Sequence, residues 1–257
     1  MPVGYLVDVQ GTLLSDADKS PLPGAHAFIE HLNASRTPYC VITNNTKEKS
    51  EDFLTLLHQK GLHVKHYLDP FMVLDSVIGT KEVLVFGPQP FEKVLTCKGY
   101  NIQPKAPKAM LIASDTAFDA PVFAAMIEAA LSGVRIVGMH GTSVYAKNGR
   151  KYPGVGAILA MLSYATSREA TVVGKPSPAF YEAALACLKT QDKTLSWKNI
   201  RIVSDDAKGD LLGAKALGMY TTLVLSGKCQ SSEEIAPIRG DIDAVHPTLL
   251  DVLEEIV

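Results

Sequence analysis

Asp8 ends the apolar run Gly4-Tyr-Leu-Val7 and is followed by Val9-Gln10-Gly11-Thr12-Leu13, a turn that holds a glycine and a hydroxyl. A carboxylate so placed can ligate a magnesium ion through one oxygen and attack phosphorus with the other, giving an aspartyl phosphate. The same carboxylate would also serve as the cap of a following helix, and Thr12 as an ordinary turn residue. Thr43-Asn44-Asn45 follows a second apolar run and can aim a hydroxyl and N–H groups at phosphate oxygens, although these types are also common turn formers and caps. Lys175, fixed by Pro176 after it, offers a cation to a transferring phosphoryl group; a single surface lysine is otherwise simply solvated. Asp205, Asp206 and Asp210 place three carboxylates within six residues after another apolar run. They repel one another unless a cation offsets them, which a hard divalent ion does well. Asp210 is also explained by the positive end of a helix beginning beside it.

Such residues act together only if the chain folds their flanking segments into one sheet. The repeating unit is a short apolar run, a turn and an amphipathic segment, the alternation of a parallel sheet covered by helices. Gly4 to Val7 and Tyr39 to Ile42 read as strands, and Ala25, Phe28, Ile29 and Leu32 fall at helical spacing after Pro23-Gly24. Val83 to Phe86, Met110 to Ala113 and Val134 to Val137 continue the rhythm without ending in the Asp, Thr-Asn or Lys-Pro found at the other runs, so this middle section reads as a separate α/β domain. Lys147 to Gly154 reads as a loop leading into a helix from about Gly156 to Ala165. Thr171 to Val173, Ile200 to Val203 and Thr222 to Leu225 run into Gly174-Lys175-Pro176, Ser204-Asp205-Asp206 and Ser226-Gly227-Lys228, and Leu249 to Ile256 is a closing helix. Open α/β sheets bind ligands beyond the carboxyl ends of their strands, so Asp8, Thr43, Asn44, Lys175 and Asp205 are expected to converge on one crevice.

The 257 residues, 47% of them apolar and 20% charged, with a formal charge of −2, describe a globular chain long enough for two domains. Lys and Arg are scattered, which argues against a nucleic-acid or anionic-membrane partner and points to small molecules. The start Met1 to Gly11 carries no basic and apolar leader pattern and no apolar run is of bilayer length, which predicts a cytoplasmic protein. Cys40, Cys97, Cys187 and Cys229 are widely spaced and are expected to be reduced packing residues.

The ordered set Asp8 with Thr12, Thr43-Asn44, Lys175-Pro176 and Asp205-Asp206 with Asp210, each after an apolar run, resembles the haloacid dehalogenase superfamily along the whole chain. The Thr-Asn-Asn triplet, the long insertion and Val173-Gly-Lys-Pro-Ser-Pro178 look like subfamily IIA. That group holds the NagD-type and para-nitrophenyl phosphatases and the phospholysine phosphohistidine inorganic pyrophosphate phosphatase. The resemblance implies a Rossmann-like parallel-sheet core, residues 1–77 and 174–257, with an inserted α/β cap, residues 78–173. It implies Asp8 as nucleophile and Mg2+ held by Asp8, the main-chain carbonyl of Gln10 and Asp205. Thr12, Thr43, Asn44 and Lys175 would bind the substrate phosphate, Lys175 also acting in catalysis. Tyr152, Pro153 and Gly154 of the cap would face a small phosphorylated substrate, and the cap allows a homodimer. The family pattern has a second aspartate two residues after the nucleophile, which protonates the leaving oxygen; here Gln10 stands in its place. An amide cannot shuttle a proton, so weakened turnover is expected, by about 10² to 10⁴ in rate. The alternative is a catalytically impaired phosphate- and metal-binding regulatory protein.

Overall fold

The computed structural model describes residues 3–147 and 150–257. The chain divides into two compact units, one made of Met1–Thr43, Glu51–Leu68 and Tyr181–Val257, the other of Asn44–Ser50 and Asp69–Phe180. Strands are numbered in chain order.

The first unit holds a parallel sheet of β1 (Gly4–Asp8), β2 (Tyr39–Ile42), β3 (Tyr67–Leu68), β11 (Ile200–Ser204), β12 (Tyr220–Val224) and β13 (Ala244–His246), in the order β13-β12-β11-β1-β2-β3. β1 and β11 are buried at every residue, and strands covered on both faces appear in sequence as unbroken apolar runs. Helix Ala25–Ala34 buries the stripe Ala25, Phe28, Ile29 and Leu32, the i, i+3, i+4, i+7 pattern of one face. It packs with helix Leu249–Ile256 over Tyr5, Val7, Val41 and Val203. That last helix starts at a capping box in which Thr248 and Asp251 satisfy each other's backbone N–H groups. Arg201 is the charged exception on β11, its guanidinium bound to Glu255 at 3.1 and 3.0 Å and to Thr222 at 2.6 Å.

The second unit has its own parallel sheet of β4 (Glu82–Phe86), β5 (Asn101–Ile102), β6 (Ala109–Ile112), β7 (Arg135–Gly138) and β10 (Ala170–Val172), in the order β10-β7-β6-β4-β5. Helices Ala120–Leu131 and Val155–Thr166 pack on it over Met110, Ile112 and Ile136. Residues 44–50 belong here because Ser50 and Asn45 donate to the Asp69 carboxylate at 2.9 and 3.4 Å, and Asp69 caps helix Pro70–Ile78. The loop expected over Lys147 to Gly154 is instead part of an antiparallel hairpin, β8 (Val144–Lys147) with β9 (Arg150–Pro153), in which Tyr145 and Tyr152 stack. Asn148 and Gly149 of that expected loop lie outside the described residues. Asn-Gly between β-forming runs is a hairpin signal, and it outweighs the polar character that suggested a loop. The four cysteines are free; Cys40 is buried, but Cys97 is exposed, so the packing role expected for it does not hold.

Candidate active site

In the first unit β1 lies between β11 and β2. The chain leaves β1 on one side, to β2, and its later strands build outward from the other side. The carboxyl ends of these neighbours are therefore a topological switch point, where open parallel sheets bind ligands. Asp8 is the last residue of β1, Thr43 follows β2 and Asp205 follows β11. Asp8 and Asp205 are only 4% and 2% exposed, so neither carboxylate is explained by hydration.

The loops around them are tied together by side chains distant in sequence. After Asp8 the N–H groups of Thr12, Leu13 and Leu14 converge on the Val9 carbonyl, a tight turn that places Gly11 at φ +77°. Thr12 Oγ1 accepts the Asp205 N–H at 3.0 Å, coupling the turn after β1 to the loop after β11. The Thr43 hydroxyl donates to Gln10 Oε1 at 2.8 Å. Asp8, Gln10, Thr12, Thr43 and Asp205 thus share one sheet end. Three residues after β12 complete the seat. Ser226 Oγ donates to the Gly11 carbonyl at 2.7 Å, and the Lys228 N–H donates to Asp205 Oδ2 at 2.6 Å. Gly11 and Gly227 flank that same oxygen so closely that a Cβ on either would stand 2.0 Å from it. Sequence reasoning noted Ser226-Gly227-Lys228 after its strand but did not enlist it; its position at a strand end was the available signal.

The three clustered acids are treated differently. Asp210 accepts the Ser204 hydroxyl at 2.7 Å, and its carbonyl accepts the Tyr181 hydroxyl at 2.9 Å. Asp206 accepts the Gly209 N–H at 2.8 Å and pairs with the Lys228 ammonium. Burial, and then the charge of Asp8, push the Asp205 carboxyl well above the usual carboxylate range, against the pull of the Lys228 N–H and ammonium. Burial and then the charges of Asp210, Asp8 and Asp206 push the Tyr181 hydroxyl up in the same way. For Lys228 burial acts downward, but Asp206, Asp210 and Asp205 outweigh it and raise the ammonium. The carboxylates at this sheet end therefore raise one another's proton affinity, and Lys228 offsets part of their charge. Among the described residues no group of three His, Cys, Asp or Glu side chains could hold a metal alone. Two buried carboxylates that leave the remaining positions to a main-chain carbonyl and water suit Mg2+, which keeps much of its water shell.

Asn44 and Lys175 are bound to each other in the second unit. The Asn44 amide pairs with the main chain of Lys175 in both directions, accepting its N–H at 2.9 Å and donating to its carbonyl at 3.4 Å. Asn44 thus holds Lys175, a role that its reading as a phosphate ligand did not include. Lys175 is buried and follows β10, so its strand belongs to the five-stranded sheet.

Two family models match this chain. The family model described as haloacid dehalogenase-like hydrolase matches residues 5–101, and that described as HAD-hydrolase-like matches residues 172–252. Haloacid dehalogenase-like hydrolase domain-containing protein 2 of Mus musculus is 26% identical over 235 residues, covering 89% of this chain and 86% of the relative. An acid sugar phosphatase of Staphylococcus haemolyticus is 25% identical over 235 residues, covering 87% and 85%. The solved p-nitrophenyl phosphatase from Archaeoglobus fulgidus shares the fold with a TM-score of 0.83 at 23% identity, over 99% of both chains.

Proposed function

We propose that this chain, which belongs to the haloacid dehalogenase-like hydrolases, is a magnesium-dependent phosphohydrolase working through an aspartyl phosphate on Asp8. The observation that carries the reading is the buried Asp8–Asp205 pair at the switch point of the sheet, one carboxylate clamped and the other at the strand end. Asp8, Asp205 and the Gln10 carbonyl would hold Mg2+, which supplies charge neutralisation at the phosphoryl oxygens. Asp8 forms a bond to phosphorus as the bond to the leaving group breaks; water then attacks the aspartyl phosphate and frees Asp8. Thr12, Thr43, Asn44 and Lys175 are the proposed phosphate-binding set, the Lys175 charge offsetting that of the transferring group. Gln10 leaves the leaving group without a proton donor at the usual place, so activated esters, phosphoamidates and pyrophosphate are favoured substrates. A core of residues 1–77 and 174–257 with a cap of 78–173, a cytoplasmic location consistent with the free cysteines, and a homodimer belong to the same proposal.

Gln10 also supports a second reading, a regulatory protein that binds phosphate and metal without turnover. Phosphate release from p-nitrophenyl phosphate, sugar phosphates, nucleoside monophosphates, phosphoamidates and pyrophosphate, with and without Mg2+, separates the two. The enzyme reading expects Mg2+-dependent release that Asp8→Asn and Asp205→Ala both abolish. Release no greater than that of Asp8→Asn on every substrate, with Mg2+ still bound, would establish the regulatory reading instead.

A further inference from the structure

Lys228 holds two successive carboxylates with two different groups. Its main-chain N–H fixes Asp205 Oδ2, while its ammonium lies on Asp206 Oδ2, whose other oxygen caps Gly209. The two jobs are separable, because a side-chain substitution leaves the N–H in place. Sequence alone offers Asp205, Asp206 and Asp210 as equivalent ligands. In the fold Asp210 is engaged by Ser204, and Asp206 by Gly209 and Lys228, while Asp205 is held by the Thr12 hydroxyl and the Lys228 N–H and feels the charge of Asp8. The ammonium also sits on a loop that the fold pins by Ser226 and Gly227.

We propose that Lys228 is a positioning residue of the metal site: its ammonium keeps Asp206 out of the ligand set and, as a fixed counter-charge, sets the divalent-cation affinity of the Asp8–Asp205 pair. This rests on the metal reading above. A fixed positive charge several ångströms from a divalent ion opposes its binding, and because the Lys228 side chain is 37% exposed and screened at close to the dielectric of water, its loss should tighten the ion roughly tenfold. The unloaded protein loses a partner for Asp206 at the same time and becomes more dependent on the ion.

Calorimetric titration with Mg2+, and thermal melting with and without it, should be run on wild type, Lys228→Met, Lys228→Arg and the Lys228→Met/Asp206→Asn double variant. Lys228→Met is expected to bind Mg2+ about tenfold more tightly and to show a larger Mg2+-induced rise in Tm than wild type. Lys228→Arg, which keeps the charge, should match wild type. The double variant removes both charges together and should return to within about threefold of wild type. Unchanged or weaker Mg2+ binding in Lys228→Met overturns the proposal. Should that variant fail to fold, near-complete loss of Mg2+ binding in the double variant overturns it equally, because Asp206 would then be a ligand. Wild type that shows no saturable Mg2+ binding defeats the metal reading itself, and with it any role for Lys228 in tuning the ion.

Discussion

Replacing Gln10 with Asp should convert a leaving-group-limited enzyme into a general one. The Gln10 side chain is half-buried and receives the Thr43 hydroxyl at 2.8 Å, so position 10 already directs a polar group into the crevice. Asp is one methylene shorter and exchanges the amide for a titratable carboxyl. The new group would sit within two residues of Asp8, and nearby negative charge raises its proton affinity, which is the direction a proton donor near neutral pH requires. General acid–base catalysis of about 10² to 10⁴ corresponds to about 3 to 5.5 kcal/mol of barrier. Loss of the Thr43 bond would cost only about 1 kcal/mol of stability. The rate gain should be concentrated where the leaving anion is basic. Turnover of an alkyl phosphate is expected to rise by roughly 10² or more, that of p-nitrophenyl phosphate far less, and the dependence on leaving group to flatten. Steady-state rates on a graded aryl and alkyl series measure this, and rapid-mixing kinetics should show a wild-type burst of aspartyl phosphate that shrinks in the variant. A wild type that already hydrolyses alkyl phosphates as fast as p-nitrophenyl phosphate, with no gain in the variant, would refute the reasoning and assign the proton to another residue.

Two further outcomes test the scaffold of the site. Gly227→Ala places a methyl 2.0 Å from Asp205 Oδ2 and 2.6 Å from the Gly11 Cα, so the loop must move. It should cost roughly 2 to 3 kcal/mol and weaken Mg2+ binding at least about tenfold, read by melting and calorimetry; wild-type affinity would show that the loop is not the seat of Asp205. Glu255→Gln removes the charge opposite Arg201, which is 2% exposed while Glu255 is 43% exposed, so about 1 to 2 kcal/mol is expected rather than the full value of a buried pair. The Arg201 hydrogen bond holds the Glu255 carboxyl below its usual range, so its contribution is complete above the unfolded value of about 4.5 and fades as pH falls through the lower folded value. Urea unfolding across pH should show the two proteins converging in acid; a difference that persists there would assign the effect to packing.

The sequence carried the central strands, because β1, β2 and β11 are buried on both faces and their apolar runs are unbroken. Helix Leu249–Ile256 was legible in full, since its stripe and its Thr248 cap are local signals. Asp8, Thr43 and Asp205 were legible as strand-end residues, a placement that depends only on where each run stops. Two-residue β3 and β5 were not, being too short for any period to register. Nor was the sheet to which a strand belongs: β10 reads as a strand, but only its pairing with β7 attaches Lys175 to the second sheet. The sorting of the three acids was equally hidden. It depends on Thr12 meeting Asp205 across 193 residues and on Lys228 reaching back 22 to Asp206. Spacing along the chain shows which carboxylates are neighbours in sequence, but which of them faces Asp8 is decided by hydrogen bonds that exist only once β1, β11 and β12 lie side by side.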